Sequence, residues 1–499
     1  MMEKERETVG KLEVITWVGI FLAGLIFLVI GITHESLWYD ESYSAAIINH
    51  SIPEIWSIAG SDSHPPLYFI FLKIFTLIFG SGEFGLRFFS VLGVLALAGI
   101  GAGPVRRIFG VKTGLVFSFL VMILPINLSM AQETRMYTWA AFFVAASGLY
   151  GYIAVSQNQR NDWIRFGVCT VFAAYMHYYA LLGVSIINVI IFMAILIKKR
   201  NVVKPFLVTA LIAVVSYTPW IYFLTQQVSK VSKDFWIQPI TLETIRYTLI
   251  FPYGNKFFPL VTFAHILAFL FQAIIIWGFI RAGVKRYKEG RMAALGVAVF
   301  ILTLVAGVVA SLIIRPVLVE RYIVPVTGIF LVAAAYGISL FNKKPIIIGV
   351  CIVIAALSVP QIMEIYTKRF NGPMYEVKAY MQENIKNDDI FVHTDEHTFG
   401  TFCYYFPDRK HYLYLEPGFK GYSGYEAFKP NGTSGSDFSQ FIKGSGNVWL
   451  VTSIYSAGES VFYKLLGSGM LNSTGLTKDF TIAPSWYGVK VEKVNAGEN

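Results

Sequence analysis

Two adjacent carboxylates, Asp40 and Glu41, stand just past the end of a long apolar run, Val14–Ile32, and His64-Pro65-Pro66 opens the next one. Carboxylates beside a chain entering hydrocarbon are costly to place and mark a site of chemistry. The plainer role for Asp40 is a helix cap, accepting from the backbone N–H groups of Ser42–Ser44. A cap can also serve as a general base toward a hydroxyl. A second patch reads Gln132-Glu133-Thr134-Arg135-Met136-Tyr137. Glu133 and Arg135 are two residues apart and share no helix face, so each is expected to find another partner. Further polar and aromatic groups fall at run ends: His177-Tyr178-Tyr179, Tyr217-Thr218-Pro219-Trp220, Arg315-Pro316 and Glu320-Arg321-Tyr322. Their aromatics alone are accounted for by the interfacial belt of a membrane protein.

The elements that must position these groups are membrane helices. Of 499 residues, 55% are hydrophobic and only 14% charged, far below the quarter usual in soluble domains. Apolar runs of about 20 residues recur through the first three quarters of the chain. The net charge of +10 comes largely from short basic connections such as Arg106-Arg107, Lys198-Lys199-Arg200, Lys285-Arg286 and Lys343-Lys344. That is the positive-inside pattern and not a nucleic-acid surface. Three cysteines, Cys169, Cys351 and Cys403, make no disulfide or zinc framework. The first run has no small-residue cleavage site and reads as an anchored helix.

With basic loops cytoplasmic, the tail Met1–Leu12 is inside and Val14–Ile32 runs outward. Spans then follow at Arg87–Gly103, Gly114–Leu128, Tyr137–Val155, Phe166–Tyr179, Leu182–Ile197, Pro205–Leu224, Phe258–Ile280, Met292–Ile314, Tyr322–Leu340 and Pro345–Ile362. The expected total is about 11 transmembrane helices, with residues 1–365 forming the membrane domain. Pro66–Phe79 is apolar but short, and counting it as a span would turn the later basic loops outward. It is expected to lie in or re-enter the outer interface. The Asp40, Glu133 and Arg321 loops all fall outside.

Residues 366–499 change character to a small extracytoplasmic α/β domain. β-like runs appear at Asp389–His393, Tyr412–Leu415, Val448–Thr452 and Val489–Val494, with helical patterns at Tyr375–Ile385 and Ser460–Leu466. His393-Thr394-Asp395-Glu396-His397 lacks the order of a zinc motif and is expected to be a solvated loop.

The ordered set DE, HPPLYF, QETRMY, HYY and RY resembles the GT-C glycosyltransferases of family 39, over the chain to about Leu340. The resemblance implies a cell-membrane enzyme with a cytoplasmic N-terminus. It would move a sugar from a polyprenyl-phosphate donor to a lipid, glycan or protein acceptor on the extracytoplasmic face. Asp40 matches the family's carboxylate in the first outer loop and is expected to be the general base. Arg135 matches the arginine of the second outer loop, and Glu41 completes the expected catalytic set. Arg321 is the expected phosphate clamp. His64, Glu133, Tyr137, His177, Tyr178 and Tyr322 are the expected substrate-binding residues. No cofactor or metal is implied, although Asp40, Glu41, Glu133 and His64 are the groups that would hold a divalent cation. Membrane lipids are expected partners and nucleic acid is not. The alternative is a transporter or flippase. It would place ionisable groups at the bilayer midplane and in two matching halves, and no such symmetry is visible.

Overall fold

Runs of apolar residues with too few polar side chains to face water form helices, because only a helix satisfies its own backbone inside hydrocarbon. The computed structural model describes residues 10–231, 237–256, 261–285, 287–418, 423–442 and 447–496. The N-terminal tail to Val9, the start of the expected span Phe258–Ile280 and Arg286 lie outside them. Among the described residues eight helices are long and apolar enough to cross a bilayer. Val111–Ile123 and Pro125–Ala131 are together long and apolar enough as well but meet at 62°, the geometry of a broken span or a re-entrant loop. The break has a local cause, since Leu124 precedes Pro125 and adopts an extended conformation. Lys11–Val29 and Arg160–Met176 are shorter helices over the two remaining expected spans. The protein is a multi-pass membrane protein.

Leu67–Phe79 is a helix of 13 residues, about 20 Å long and too short to span. It buries Tyr68, Phe69 and Leu72 and exposes Ile74, Leu77 and Ile78 on the opposite side.

The chain divides into two compact units. One comprises Met1–Ile30 with Arg87–Glu364, the other Gly31–Leu86 with Ile365–Asn499. Residues 31–86, which precede most of the spans, therefore fold with the C-terminal part of the chain.

In the first unit the segment Glu320–Ser339 is the most enclosed span. Small residues let its neighbours approach closely. A Cβ on Gly278 would lie 2.8 Å from Gly337 Cα, and one on Gly296 only 2.2 Å from the carbonyl oxygen of Ile329, inside contact distance. The middle and the Ser339 end of this span are thus held by backbone-to-backbone packing. At the basic loop, Arg106 pairs with Glu13 at 2.7 Å and Arg107 meets both carboxylate oxygens of Asp162 at 2.8 and 2.9 Å.

The second unit contains a six-stranded sheet of order β3-β2-β1-β4-β6-β5. Its strands are β1 Ile390–His393, β2 His411–Tyr414, β3 Gly432–Gly435, β4 Val448–Ile454, β5 Leu471–Phe480 and β6 Gly488–Ala496. The first four are mutually parallel, and β6 and β5 are antiparallel additions at the β4 edge. One face packs Ile390, Val392, Tyr412, Leu450 and Phe462. The sequence pattern marks β1, β2, β4 and β6 and misses β3 and β5. Those two are the edge strands, and Gly-Thr-Ser-Gly in β3 and the exposed polar run of β5 give no apolar alternation to read.

The expected solvated loop His393–His397 is corrected by the fold. His393 ends β1 with no exposed surface, and Asp395 caps the helix Glu396–Tyr405 by accepting from Thr398 N–H at 3.1 Å. His393 and His411 hydrogen-bond through Nε2 and Nδ1 at 3.2 Å, with the His411 Nε2 3.0 Å from the Phe406 carbonyl. Burial holds both rings neutral, His393 well below the ordinary imidazole range and His411 down to about 4.

The unfolded rings would take up protons below about 6.5, so the folded state binds fewer protons between that pH and about 4. Stability from this pair is complete above pH 6.5 and is lost as pH falls through the window. For His411 it amounts to about 3 kcal/mol. Thermal unfolding of the purified full-length protein is expected to show the C-terminal unit's transition falling steeply from pH 7 to 5. His411→Gln should flatten that dependence, and an unchanged slope would refute the assignment.

Candidate active site

In the second unit, Asp40 and Glu41 occupy the first turn of the helix Tyr39–Ile47, where the helix dipole favours negative charge. The N-cap is Trp38 and no side chain caps this end, so Asp40 is not the cap. Asp40 is half-buried, whereas Glu41 is fully buried with Asn371 Nδ2 3.5 Å from its Oε2. The strand of chain leading in is tied down by residues far along the sequence. Leu37 N–H donates to the Tyr405 hydroxyl at 2.9 Å, Asn371 Nδ2 to the Ser36 carbonyl at 3.0 Å, and Asn371 N–H to Glu35 at 2.9 Å. His64 lies 3.1 Å from Asp62 through Nδ1, just before the two prolines that start the Leu67–Phe79 helix. Tyr43 packs edge-on to Phe69 and Phe428.

In the first unit, Glu133, Thr134 and Arg135 are all buried in the tight connection between Pro125–Ala131 and Tyr137–Gln157. Arg135 N–H donates to the Glu133 carbonyl at 2.8 Å, and Ser90 Oγ donates to the Arg135 carbonyl at 3.3 Å. Glu133 meets Lys256 at 4.0 Å. The buried Tyr137 lies in electrostatic range of Arg135, Arg321, Tyr322 and Glu133. His177 caps the helix Tyr178–Lys198, its Nδ1 accepting from Tyr179 N–H at 3.1 Å. That bond puts the proton of the neutral ring on Nε2. The imidazole packs against Tyr137 at 5.5 Å and Tyr322 at 5.1 Å, and Tyr179 lies 5.2 Å from Tyr322.

The fold thus gathers Glu133, Arg135, Tyr137, His177, Arg321 and Tyr322 from three separate connections. Tyr178 takes another direction, its hydroxyl accepting from Trp220 Nε1 at 3.1 Å and donating to Gln227. Lys256, which sequence reasoning passed over, belongs with the cluster through Glu133. Its signal was present in Phe251-Pro-Tyr-Gly-Asn-Lys256, a lysine in a turn between apolar runs. Two guanidiniums and an ammonium beside aromatic hydroxyls form an arrangement suited to a phosphate, since Arg offers paired donors and fixed charge.

Residues 63–223 match the family described as dolichyl-phosphate-mannose-protein mannosyltransferase. Over nearly the whole chain the fold is that of ArnT from Cupriavidus metallidurans. The apo structure superposes with a TM-score of 0.61 at 14% identity, covering 95% of this chain and 97% of ArnT. This chain has the GT-C glycosyltransferase fold. The ArnT structure bound to undecaprenyl phosphate aligns with a TM-score of 0.59 at 13% identity, covering 96% and 97% of the two chains. An Archaeoglobus fulgidus oligosaccharyltransferase aligns at 0.48 and 13% identity over 87% of this chain and 68% of its own. No curated protein sequence matches the chain. The family match begins at Ser63, so it takes in the HPPLYF, QETRMY and HYY segments and stops short of Arg321.

Proposed function

We propose that this protein is a membrane glycosyltransferase that moves a sugar from a polyprenyl-phosphate donor to an acceptor hydroxyl. The observation that carries the reading is the group of Arg135, Arg321 and Lys256 about Tyr137 and Glu133, in a chain with the fold of a protein that binds undecaprenyl phosphate. Asp40 removes the acceptor proton as the hydroxyl oxygen attacks the anomeric carbon. The bond from that carbon to the phosphate oxygen breaks, and polyprenyl phosphate leaves with the electron pair. The lipid phosphate is already a good leaving group, so the chemistry calls for donors and positive charge at the developing anion rather than a strong acid. Arg135 and Arg321 supply them, and Glu41, tied to Asn371, positions the turn that carries Asp40.

The test is mass spectrometry of polyprenyl-linked sugars and surface glycans from cells carrying wild-type or Asp40→Asn protein. Accumulation of one polyprenyl-phosphate sugar, with loss of a matching glycan, names donor and acceptor together. Unchanged pools with a stably expressed variant would refute the reading.

The reading also sets the orientation, with the N-terminus cytoplasmic and the α/β domain extracytoplasmic, on the strength of the basic loops. Cysteines introduced at the exposed positions Ser81 and Ser460 should react with an impermeant thiol reagent from outside, and one at exposed Gln159 should not. The opposite labelling would invert the topology.

A further inference from the structure

The membrane helix Lys344–Thr367 carries two buried polar side chains that the proposed chemistry does not use. Gln361 is fully enclosed and Glu364 nearly so, whereas Val359 and Met363 on the same stretch are exposed. Three residues apart, Gln361 and Glu364 share one helix face. Polar side chains in a membrane helix are costly to place, turn toward protein, and mark a function. Here both reach the turn 253–256, earlier in the chain. The Gln361 carboxamide meets that turn as a peptide group would. Its Nε2 donates to the Tyr253 carbonyl at 3.1 Å, and its Oε1 accepts from Asn255 N–H at 3.1 Å. Asn255 Nδ2 donates to Glu364 Oε2 at 3.4 Å. From another element, Ser129 Oγ accepts from Lys256 N–H at 3.4 Å. Ser129 lies in Pro125–Ala131, the helix that leads into Glu133 and Arg135.

We propose that this face of the helix, Gln361 with Glu364, positions Lys256 for the donor phosphate. The proposal rests on the reading of Lys256 as one of the cations that meet that phosphate. A lysine ammonium rides on a flexible four-carbon stem, so its location depends on where its backbone is held. The backbone leading into Lys256 is held by one buried carboxamide that satisfies a C=O and an N–H together. Tyr253 and Asn255 are themselves buried. Without the carboxamide, an enclosed carbonyl and an enclosed N–H must find other partners or lose their hydrogen bonds, and the turn shifts to do so. A shifted turn withdraws the ammonium from its place 4.0 Å from Glu133 Oε2. The Asn255–Glu364 contact adds a second tie on the same face, so the end of this span is the template against which the turn is set. Gln361 is enclosed by protein, and its effect on the donor passes through the ammonium. Gln361 and Glu364 are therefore positioning residues.

A double-mutant cycle on undecaprenyl phosphate binding tests this, read by native mass spectrometry on the purified full-length protein. Lys256→Ala should weaken binding. Gln361→Met fills a similar space without hydrogen bonds and should weaken binding about tenfold, within the range of coupling found inside one hydrogen-bond network. In the Lys256→Ala background the same change should cost less than about twofold, because the group it positions is gone. A purely structural role would lower affinity equally in both backgrounds. Asn255→Ala removes only the tie to Glu364 and is the gentler variant, to be read in the same cycle if Gln361→Met does not fold. It should weaken binding about threefold with Lys256 present and leave it unmoved without. Wild-type affinity in the folded variant, or an equal loss with and without Lys256, overturns the proposal. Affinity unchanged by Lys256→Ala refutes instead the reading of Lys256 as a phosphate cation, so the two failures are told apart.

Discussion

Asp40→Asn is expected to reduce sugar transfer by about 10²–10⁴-fold, the contribution of a positioned general base. Asparagine fills the same space and keeps an oxygen near the acceptor, but it cannot take the proton from an attacking hydroxyl. The substitution tests chemistry more than folding because Trp38, and not Asp40, occupies the N-cap. The fold loses a favourable charge at the helix start, worth about 0.3–1 kcal/mol. Glu41 keeps its contact with Asn371, and the chain entering the helix keeps its ties to Tyr405 and Asn371. The measurement is the rate at which membranes carrying the variant consume the donor identified by mass spectrometry, alongside the amount of donor bound. Loss of rate with donor binding retained is the expected outcome. A rate equal to wild type would remove Asp40 from the reaction.

Arg321→Gln is expected to lower transfer by about 10²–10³-fold, the scale observed when one preorganised donor to a developing anion is removed. Arg321→Lys should recover only part of this, because an ammonium restores charge but not the planar fork that meets two phosphate oxygens. Arg321 is half-buried, so its replacement leaves a smaller hole than loss of the fully enclosed Arg135 would. Binding of undecaprenyl phosphate, measured by native mass spectrometry on the purified protein, should weaken in the same order: wild type, lysine, glutamine. Equal affinity across the three, with normal thermal stability, would take Arg321 out of phosphate recognition.

The two arginines show how far local sequence carries. Arg135 is conspicuous because a charged residue at a span entrance must be accounted for, and QETRMY states that in six letters. Its association with Arg321 about Tyr137 brings together connections almost 200 residues apart. Tyr178 stands next to His177 yet turns toward Trp220, because consecutive residues at a helix start point in different directions. His393 and Glu396 are instructive in the other sense. Their surroundings look polar in sequence, and the solvated loop expected from that polarity gave way to a strand end and a capped helix. Asp395 satisfies that helix end, and His411 provides the partner His393 needs to be buried.

The sequence by itself determined that this chain crosses a membrane many times and that its carboxylates and arginines stand at the ends of apolar runs. These are consequences of run length, charge and the cost of exposing backbone to lipid, all of which act over twenty or so residues. The tertiary structure alone decided that residues 31–86 fold with the C-terminal part of the chain. The contact that ties Leu37 to Tyr405 spans 368 residues, and no local pattern encodes such a pairing. It also decided which carboxyls are buried and beside what, and burial and neighbouring charge are what set a carboxyl's protonation. Glu41 is the clearest case, next to the half-buried Asp40 in the sequence and fully enclosed beside Asn371 in the fold.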